Sequence, residues 1–230
     1  MKNTRISRWG VAAMAACVAL AGFAGCGAVG AKGKAMIADP AVDDSLAAAK
    51  GQQTVVLSGG CFWGIQLVFE HVKGVVSATA GYAGGSAKTA EYEIVSTGTT
   101  GHAESVKVVY DPSVITFGQL LKVFFSVAHD PTELNRQGPD SGTQYRSAIF
   151  YSTDGQKRIA EAYISQLDAA KTFSGSIVTQ VNALQAFYPA EDYHQDYAVH
   201  NPDNPYIAFN DLPKLAHLRE QLPGLYVDKK

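Results

Sequence analysis

Two periodicities alternate along the chain. Short runs rich in β-branched and aromatic residues at 53–58, 75–82, 103–110, 146–151 and 176–182 predict strands. Between them, three segments repeat apolar residues at helical spacing. Residues 62–72 place Ile65, Val68, Phe69 and Val72 on one face. Residues 116–128 open with the capping pattern Thr116…Gln119 and carry Phe117, Leu120, Leu121, Phe124 and Val127, while residues 153–169 open with Thr153…Gln156 and carry Ile159, Tyr163 and Leu167. Strands and helices interleaved in this way predict an α+β fold, a two-layer sandwich of helices on a mixed or antiparallel sheet. The last fifty residues contain Pro189, Pro202, Pro205, Pro213 and Pro223. They are expected to be mostly irregular with short helices, a long segment of the kind that often surrounds a site.

Ahead of the first strand the patterning stops. Residues 27–52 hold no aromatic residue and are rich in Gly, Ala and Asp, so they are expected to be a flexible tether reaching on the order of 30 Å, followed by one domain over 53–230. Residues 1–26 start with Lys2, Arg5 and Arg8, continue through the apolar run 9–21 and end in small residues, which is the arrangement of an export signal. The junction Phe23-Ala24-Gly25-Cys26 resembles a bacterial lipobox, in which Cys26 would be the lipid anchor and the first mature residue; Phe23 departs from the usual aliphatic residue. An ordinary signal cleaved between Ala and Gly is the alternative. A membrane-spanning helix is disfavoured, because the run is Ala- and Gly-rich and has no basic flank on its far side. The expected location is the exported bacterial cell envelope, as a periplasm-facing lipoprotein.

With 230 residues, 47% of them hydrophobic and 17% charged, the chain is long enough and apolar enough for a buried core, which excludes disorder throughout. Removing the signal leaves 16 basic against 21 acidic residues, a net charge of −5 with no basic cluster, so nucleic acid has no electrostatic footing.

The three cysteines are Cys17, Cys26 and Cys61. The first leaves with the signal and the second would carry lipid, so Cys61 is the one remaining thiol. In an oxidising compartment cysteines kept for stability come in pairs, and a lone thiol points to reactivity. Its surroundings agree: a strand, then Gly59-Gly60, then Cys61 at the first turn of a predicted helix. The helix N-terminus offers unpaired N–H groups and partial positive charge, which lower a thiol pKa from about 8.5. The alternative is a core cysteine that happens to begin a helix. Phe62 and Trp63 cannot both face the core, so one of them should wall the space over the sulfur. Along 104–110, alternation puts Glu104 on the face shared by Val106, Val108 and Tyr110. There burial raises a carboxyl pKa from about 4.3 and keeps its proton near neutrality, unless the residue is simply a solvated strand-edge glutamate. His194 and His200 are six apart, off the one-face spacing, and with a single thiol no zinc set assembles.

The motifs "GCFWG" at 60–64, "GYAGG" at 81–85, "GHAE" at 101–104, "VVYDP" at 108–112, "HDPT" at 129–132, "QGPDSGTQYRS" at 137–147 and "YHQDY" at 193–197 resemble, in order, the A-type peptide methionine sulfoxide reductases. The resemblance implies a ferredoxin-like α+β core and reduction of the S epimer of methionine sulfoxide, free or in oxidised proteins and peptides. It implies Cys61 as nucleophile, passing through a sulfenic acid, and Glu104 as the acid. It further implies Phe62 and Trp63 as the pocket for the substrate methyl, Tyr92 and Tyr145 as hydroxyls on the sulfoxide oxygen, and Asp140 as an acidic residue acting through water. His102, His129 and His194 fall in family motifs as structural hydrogen bonders. No cofactor and no metal is implied. The chain departs from many relatives in having no second thiol: Ser96 stands where some carry cysteine, and 201–230 has none. An external thiol, a dithiol or a thioredoxin-type protein, is therefore expected to reduce the sulfenic acid. A lipid-anchored thiol peroxidase and a non-enzymatic envelope binding module are the competing readings; neither requires an aromatic pair beside the cysteine or a protonated glutamate. An acyl-transfer enzyme would need a histidine base within reach of Cys61.

Overall fold

The computed structural model describes residues 37–228. The expected signal and Cys26 lie outside the described residues. Among the described residues there are eight strands: β1 (Gln53–Ser58), β2 (Val75–Ala83), β3 (Ala103–Tyr110), β4 (Arg136–Gln137), β5 (Asp140–Ser141), β6 (Ala148–Tyr151), β7 (Gln180–Ala183) and β8 (Phe187–Pro189). Six form one sheet in the order β7-β6-β1-β3-β2-β8, and β4 pairs with β5 in a small hairpin. All ladders of the large sheet are antiparallel except β6 with β7, which are parallel and joined by a helical crossover. The sheet is mixed, one of the two arrangements that the patterning allows.

The helices are α1 (Phe62–Glu70), α2 (Tyr92–Val95), α3 (Phe117–Val123), α4 (Asp154–Ala169), α5 (Tyr197–His200) and α6 (Leu212–Gln221). Strand alternation sorts the core. Val55 and Leu57 of β1, with Val106, Val108 and Tyr110 of β3, face α1, α3 and α4 in the main cluster, whereas Val56 joins Ala83, Ala103, Ala148 and Phe150 on the opposite face. Each fully buried Val, Leu or Phe contributes about 2 kcal/mol of apolar transfer.

Thr116 caps α3 in a complete capping box with Gln119. At α4 the box is half built: Thr153 accepts from the Gln156 amide, but the Gln156 carbonyl takes the Ser152 N–H, and its amide reaches Thr54 of β1. The predicted helix 116–128 changes to a π-helical turn at 124–128, and the strand expected over 176–182 begins only at Gln180. The C-terminal segment is more regular than expected, because Pro213 falls in the first turn of α6, where its missing N–H costs nothing, rather than breaking a helix.

The expectation of a free tether over 27–52 is corrected for residues 37–52. Ile37 is buried in the main core, Asp39 pairs with Lys122 at 2.6 Å, and Tyr163 donates to the Ala38 carbonyl at 2.7 Å. Asp43 accepts from the Gly118 amide at 2.9 Å and from the Thr116 hydroxyl, so this segment completes the cap of α3. Its polar, aromatic-free composition hides the attachment, which is made by carboxylates and backbone carbonyls meeting partners more than seventy residues away.

Candidate active site

β1 runs in the core and delivers the chain to Gly59 and Gly60 at the mouth of α1. Gly60 has φ +94°, a conformation that costs a side-chain-bearing residue energy, and a Cβ there would stand 2.6 Å from the Gln137 side chain. The turn leaves Cys61 as the N-cap of α1 with 8% of its surface exposed. Cys61 lines a cleft of about 200 Å³ shared with Asp140, Tyr206, Phe209, Asn210 and Lys214.

Glu104 stands on β3 opposite Tyr82 of β2, almost wholly buried, and its Oε2 accepts the Phe62 backbone N–H at 3.1 Å. One of the unpaired donors of α1 is thus satisfied by a carboxyl from the sheet. Burial pushes Glu104 up to about 8, against the Phe62 N–H and with the help of Asp140. The solvated-edge alternative is excluded for this residue.

The expected depressed thiol is corrected. Burial, then the Glu104 carboxylate, then Asp211 raise the Cys61 pKa above the ordinary thiol range, while the Trp63 amide and the Lys214 ammonium oppose them. The helix N-terminus does favour the anion, but desolvation of a sulfur at this depth outweighs it. The contribution of Glu104 exists only while that residue is ionised, so a protonated Glu104 relieves the sulfur.

Phe62 is fully buried and Trp63 half-buried. The Trp63 indole stacks on Tyr197 of α5 with ring centres 3.9 Å apart and planes within 13°, and its Nε1–H donates to His194 Nδ1 at 3.2 Å. Tyr206 meets the same indole edge-on and donates its hydroxyl to Asp140. Tyr92 opens α2, placed by its backbone N–H donating to Glu191 at 2.9 Å, and its ring centre lies 4.4 Å from that of His194. The hydroxyl groups of Tyr92 and Tyr145 both feel Glu104 and Cys61. Asp140, which influences both Glu104 and Tyr145, completes the group. The structure therefore gathers all seven residues singled out in the sequence, namely Cys61, Phe62, Trp63, Tyr92, Glu104, Asp140 and Tyr145, from five separate parts of the chain. His102 and His129 serve backbone and hydroxyl partners: His102 Nδ1 accepts from Gly85, and His129 bonds Phe124 and Ser147.

A family model described as peptide methionine sulfoxide reductase matches residues 53–224. The chain belongs to the peptide methionine sulfoxide reductase family. It is 59% identical over 182 residues to peptide methionine sulfoxide reductase MsrA 2 of Mesorhizobium japonicum, covering 79% of this chain and 93% of that protein. It is 52% identical over 196 residues to the MsrA 2 of Synechocystis, covering 84% and 90%. Among solved structures, Mxr1 of Saccharomyces cerevisiae in reduced form superposes with TM-score 0.60 at 33% identity, over 71% of this chain and 92% of that one. Methionine sulfoxide reductase A of Corynebacterium diphtheriae gives 0.58 at 40% identity, over 67% and 77%. As a methionine sulfoxide reductase of the A type, the protein is an oxidoreductase acting on sulfur, with the mixed α+β sandwich of these relatives. No observation favours a thiol peroxidase or a binding module.

Sequence reasoning missed Tyr197, Tyr206, Asp211 and Lys214 as members of this site. Tyr197 lies inside a quoted motif without an assigned role. The other three lie in "PYIAFNDLPK", where only the packing of α5 and α6 against α1 shows that Tyr206 and Lys214 return to the cleft with Asp211 buried behind Lys214.

Proposed function

We propose that Cys61 is the nucleophile of this reductase and Glu104 its acid. The thiolate attacks the sulfur of methionine-S-sulfoxide while Glu104 gives its proton to the oxygen. Attack forms an S–S bond between Cys61 and the substrate sulfur, which now carries the protonated oxygen; the hydroxyl then passes to the Cys61 sulfur as the substrate S–O bond and the S–S bond break, methionine leaves, and the products are a Cys61 sulfenic acid and a Glu104 carboxylate. The substrate sulfur gains the two electrons that the cysteine sulfur loses. The observation that carries this reading is the bond from Phe62 N–H to Glu104 Oε2, which fixes a carboxyl raised to about 8 beside the residue that caps α1. The reactive state holds one proton between the two groups, on Glu104 with the sulfur ionised. Phe62 and Trp63 supply an apolar seat for the methyl group, and the Tyr92 and Tyr145 hydroxyls, with Asp140 behind them, hold the oxygen as it gains charge.

Cys61 is the only cysteine among the described residues, so the sulfenic acid is reduced by a thiol from outside the domain, a dithiol or a thioredoxin-type protein. Lipid attachment at Cys26 and a place in the cell envelope are supported by the basic start, the apolar run and the small residues before Cys26. Because residue 37 is already held by the core, the ten residues 27–36 span at most about 35 Å from the anchor. The test of the catalytic reading is product formation from the separated sulfoxide epimers with a dithiol reductant: the S epimer is consumed, Cys61→Ser is inactive, and turnover by Cys61→Ser would overturn it. Detergent-phase partition of the mature protein, lost in Cys26→Ser, tests the anchor.

A further inference from the structure

One ion pair at the edge of the cleft has no part in the steps above. Asp211 at the start of α6 is completely buried, pairs with Lys214 at 3.1 Å through Oδ1, and leaves Oδ2 without a hydrogen bond. The pair rests on Gly64, one helical turn beyond Cys61 and on the same face of α1. A Cβ at that position would stand 2.1 Å from Asp211 Oδ1 and 2.7 Å from Lys214 Nζ, so the bare backbone is what admits two charged groups here. The two ends differ in setting. The carboxylate is sealed in protein, whereas Lys214, its side chain 17% exposed, lines the same cleft as Cys61.

We propose that Lys214, held by Asp211, is a positioning residue for charge on Cys61: it presents a fixed cation to the cleft in which the thiolate forms and in which the sulfenic acid later meets an incoming thiolate. The inference rests on Cys61 being the reacting sulfur. A buried carboxylate behind an ammonium makes an oriented dipole whose positive end costs no reorganisation when negative charge appears, and in a site of low water content such a charge acts more strongly than on the surface. The titratable groups around the sulfur are Glu104 from β3, Asp140 from β5, Tyr92, Tyr145, Tyr206, Asp211 and Lys214. Lys214 is the only cation among them, and its effect on the sulfur is opposite in sign to that of Asp211.

That opposition makes the test. The rate of Cys61 alkylation by iodoacetamide is followed against pH in the intact protein and in Lys214→Met, Lys214→Arg and Asp211→Asn, with circular dichroism confirming that each is folded. Lys214→Met moves the inflection to higher pH and slows alkylation at pH 8 about tenfold, and Lys214→Arg restores it. Asp211→Asn keeps an acceptor for Lys214 but removes the anion, so it moves the inflection to lower pH. A pair that merely holds α6 in place would change both variants in the same direction, or change melting temperature alone, and either result overturns the proposal. Alkylation reads ionisation of the sulfur without sulfoxide chemistry, so this failure is distinct from failure of the catalytic reading, which the epimer assay reports.

Discussion

The backbone N–H of Phe62 donates to Oε2 of Glu104 across 3.1 Å, joining the first turn of α1 to the second residue of β3 through 42 positions of sequence. This contact holds the carboxyl at the mouth of α1, while burial, against the pull of the same N–H, keeps it protonated. Glu104→Gln preserves the acceptor and the shape while removing the transferable proton. Its kcat/KM is expected to fall by about 10²–10⁴. The wild-type pH profile is expected to be bell-shaped, with one limb near the value of about 8 to which Glu104 is raised, and the variant to keep only a limb that rises with thiolate. A bell that survives in Glu104→Gln would remove Glu104 from the proton transfer.

The same raised pKa predicts a stability effect. Folded Glu104 binds its proton until about pH 8, whereas the unfolded chain releases it near 4.5, so between these values the folded state holds the extra proton and loses stability as pH rises. The amount is on the order of 3 kcal/mol between pH 5 and pH 8. Glu104→Gln lacks this dependence. Its melting temperature is expected to match wild type near pH 5 and exceed it at pH 8; equal pH dependence in thermal scans would show that the carboxyl titrates normally.

Tyr197 supports Trp63 from behind, and the stack is expected to matter more for substrate than for folding. Tyr197→Ala frees the indole to turn and should lower kcat/KM about tenfold, chiefly through KM. Single-turnover chemistry with saturating sulfoxide should stay within a few-fold of wild type. A variant that loses the chemical step instead would place Tyr197 among the groups acting on the oxygen.

Without reductant, the mature enzyme is expected to make one methionine per Cys61 and stop, its intact mass greater by one oxygen atom. Added dithiol restores turnover. An internal disulfide in the arrested protein would show that a second thiol reaches the cleft.

Residues 37–52 carry a cap that belongs to another element. Asp43→Ala strips acceptors from the Gly118 amide and the Thr116 hydroxyl, and is expected to cost about 1 kcal/mol in chemical denaturation without changing kcat/KM. No loss of stability would mean that the segment lies on the domain without supporting it.

Much of the site was legible because its residues act where they stand in the chain. A glycine pair before a cysteine, aromatics directly after it, and a glutamate on the apolar face of a strand are local features, and the strands and helices around them came from period and capping. The attachment of 37–52, the half-built box at Thr153 and the late start of β7 depended on partners far away in sequence, which periodicity does not encode. The helix-terminus argument for Cys61 failed for a related reason: it counted the local N–H groups and omitted the depth of burial and the carboxylates that other elements bring.

The order of residues thus determined the glycine-flanked cysteine with its aromatic neighbours, the glutamate on the apolar face of β3 and the alternation of strand and helix, because each rests on spacing within one element. Only the assembled molecule decided which way the Cys61 proton equilibrium leans, which side chains back Trp63, and that α6 brings a lysine into the cleft with a buried aspartate behind it. Those outcomes depend on desolvation and on charge through space, and both quantities exist only after distant segments have been packed together.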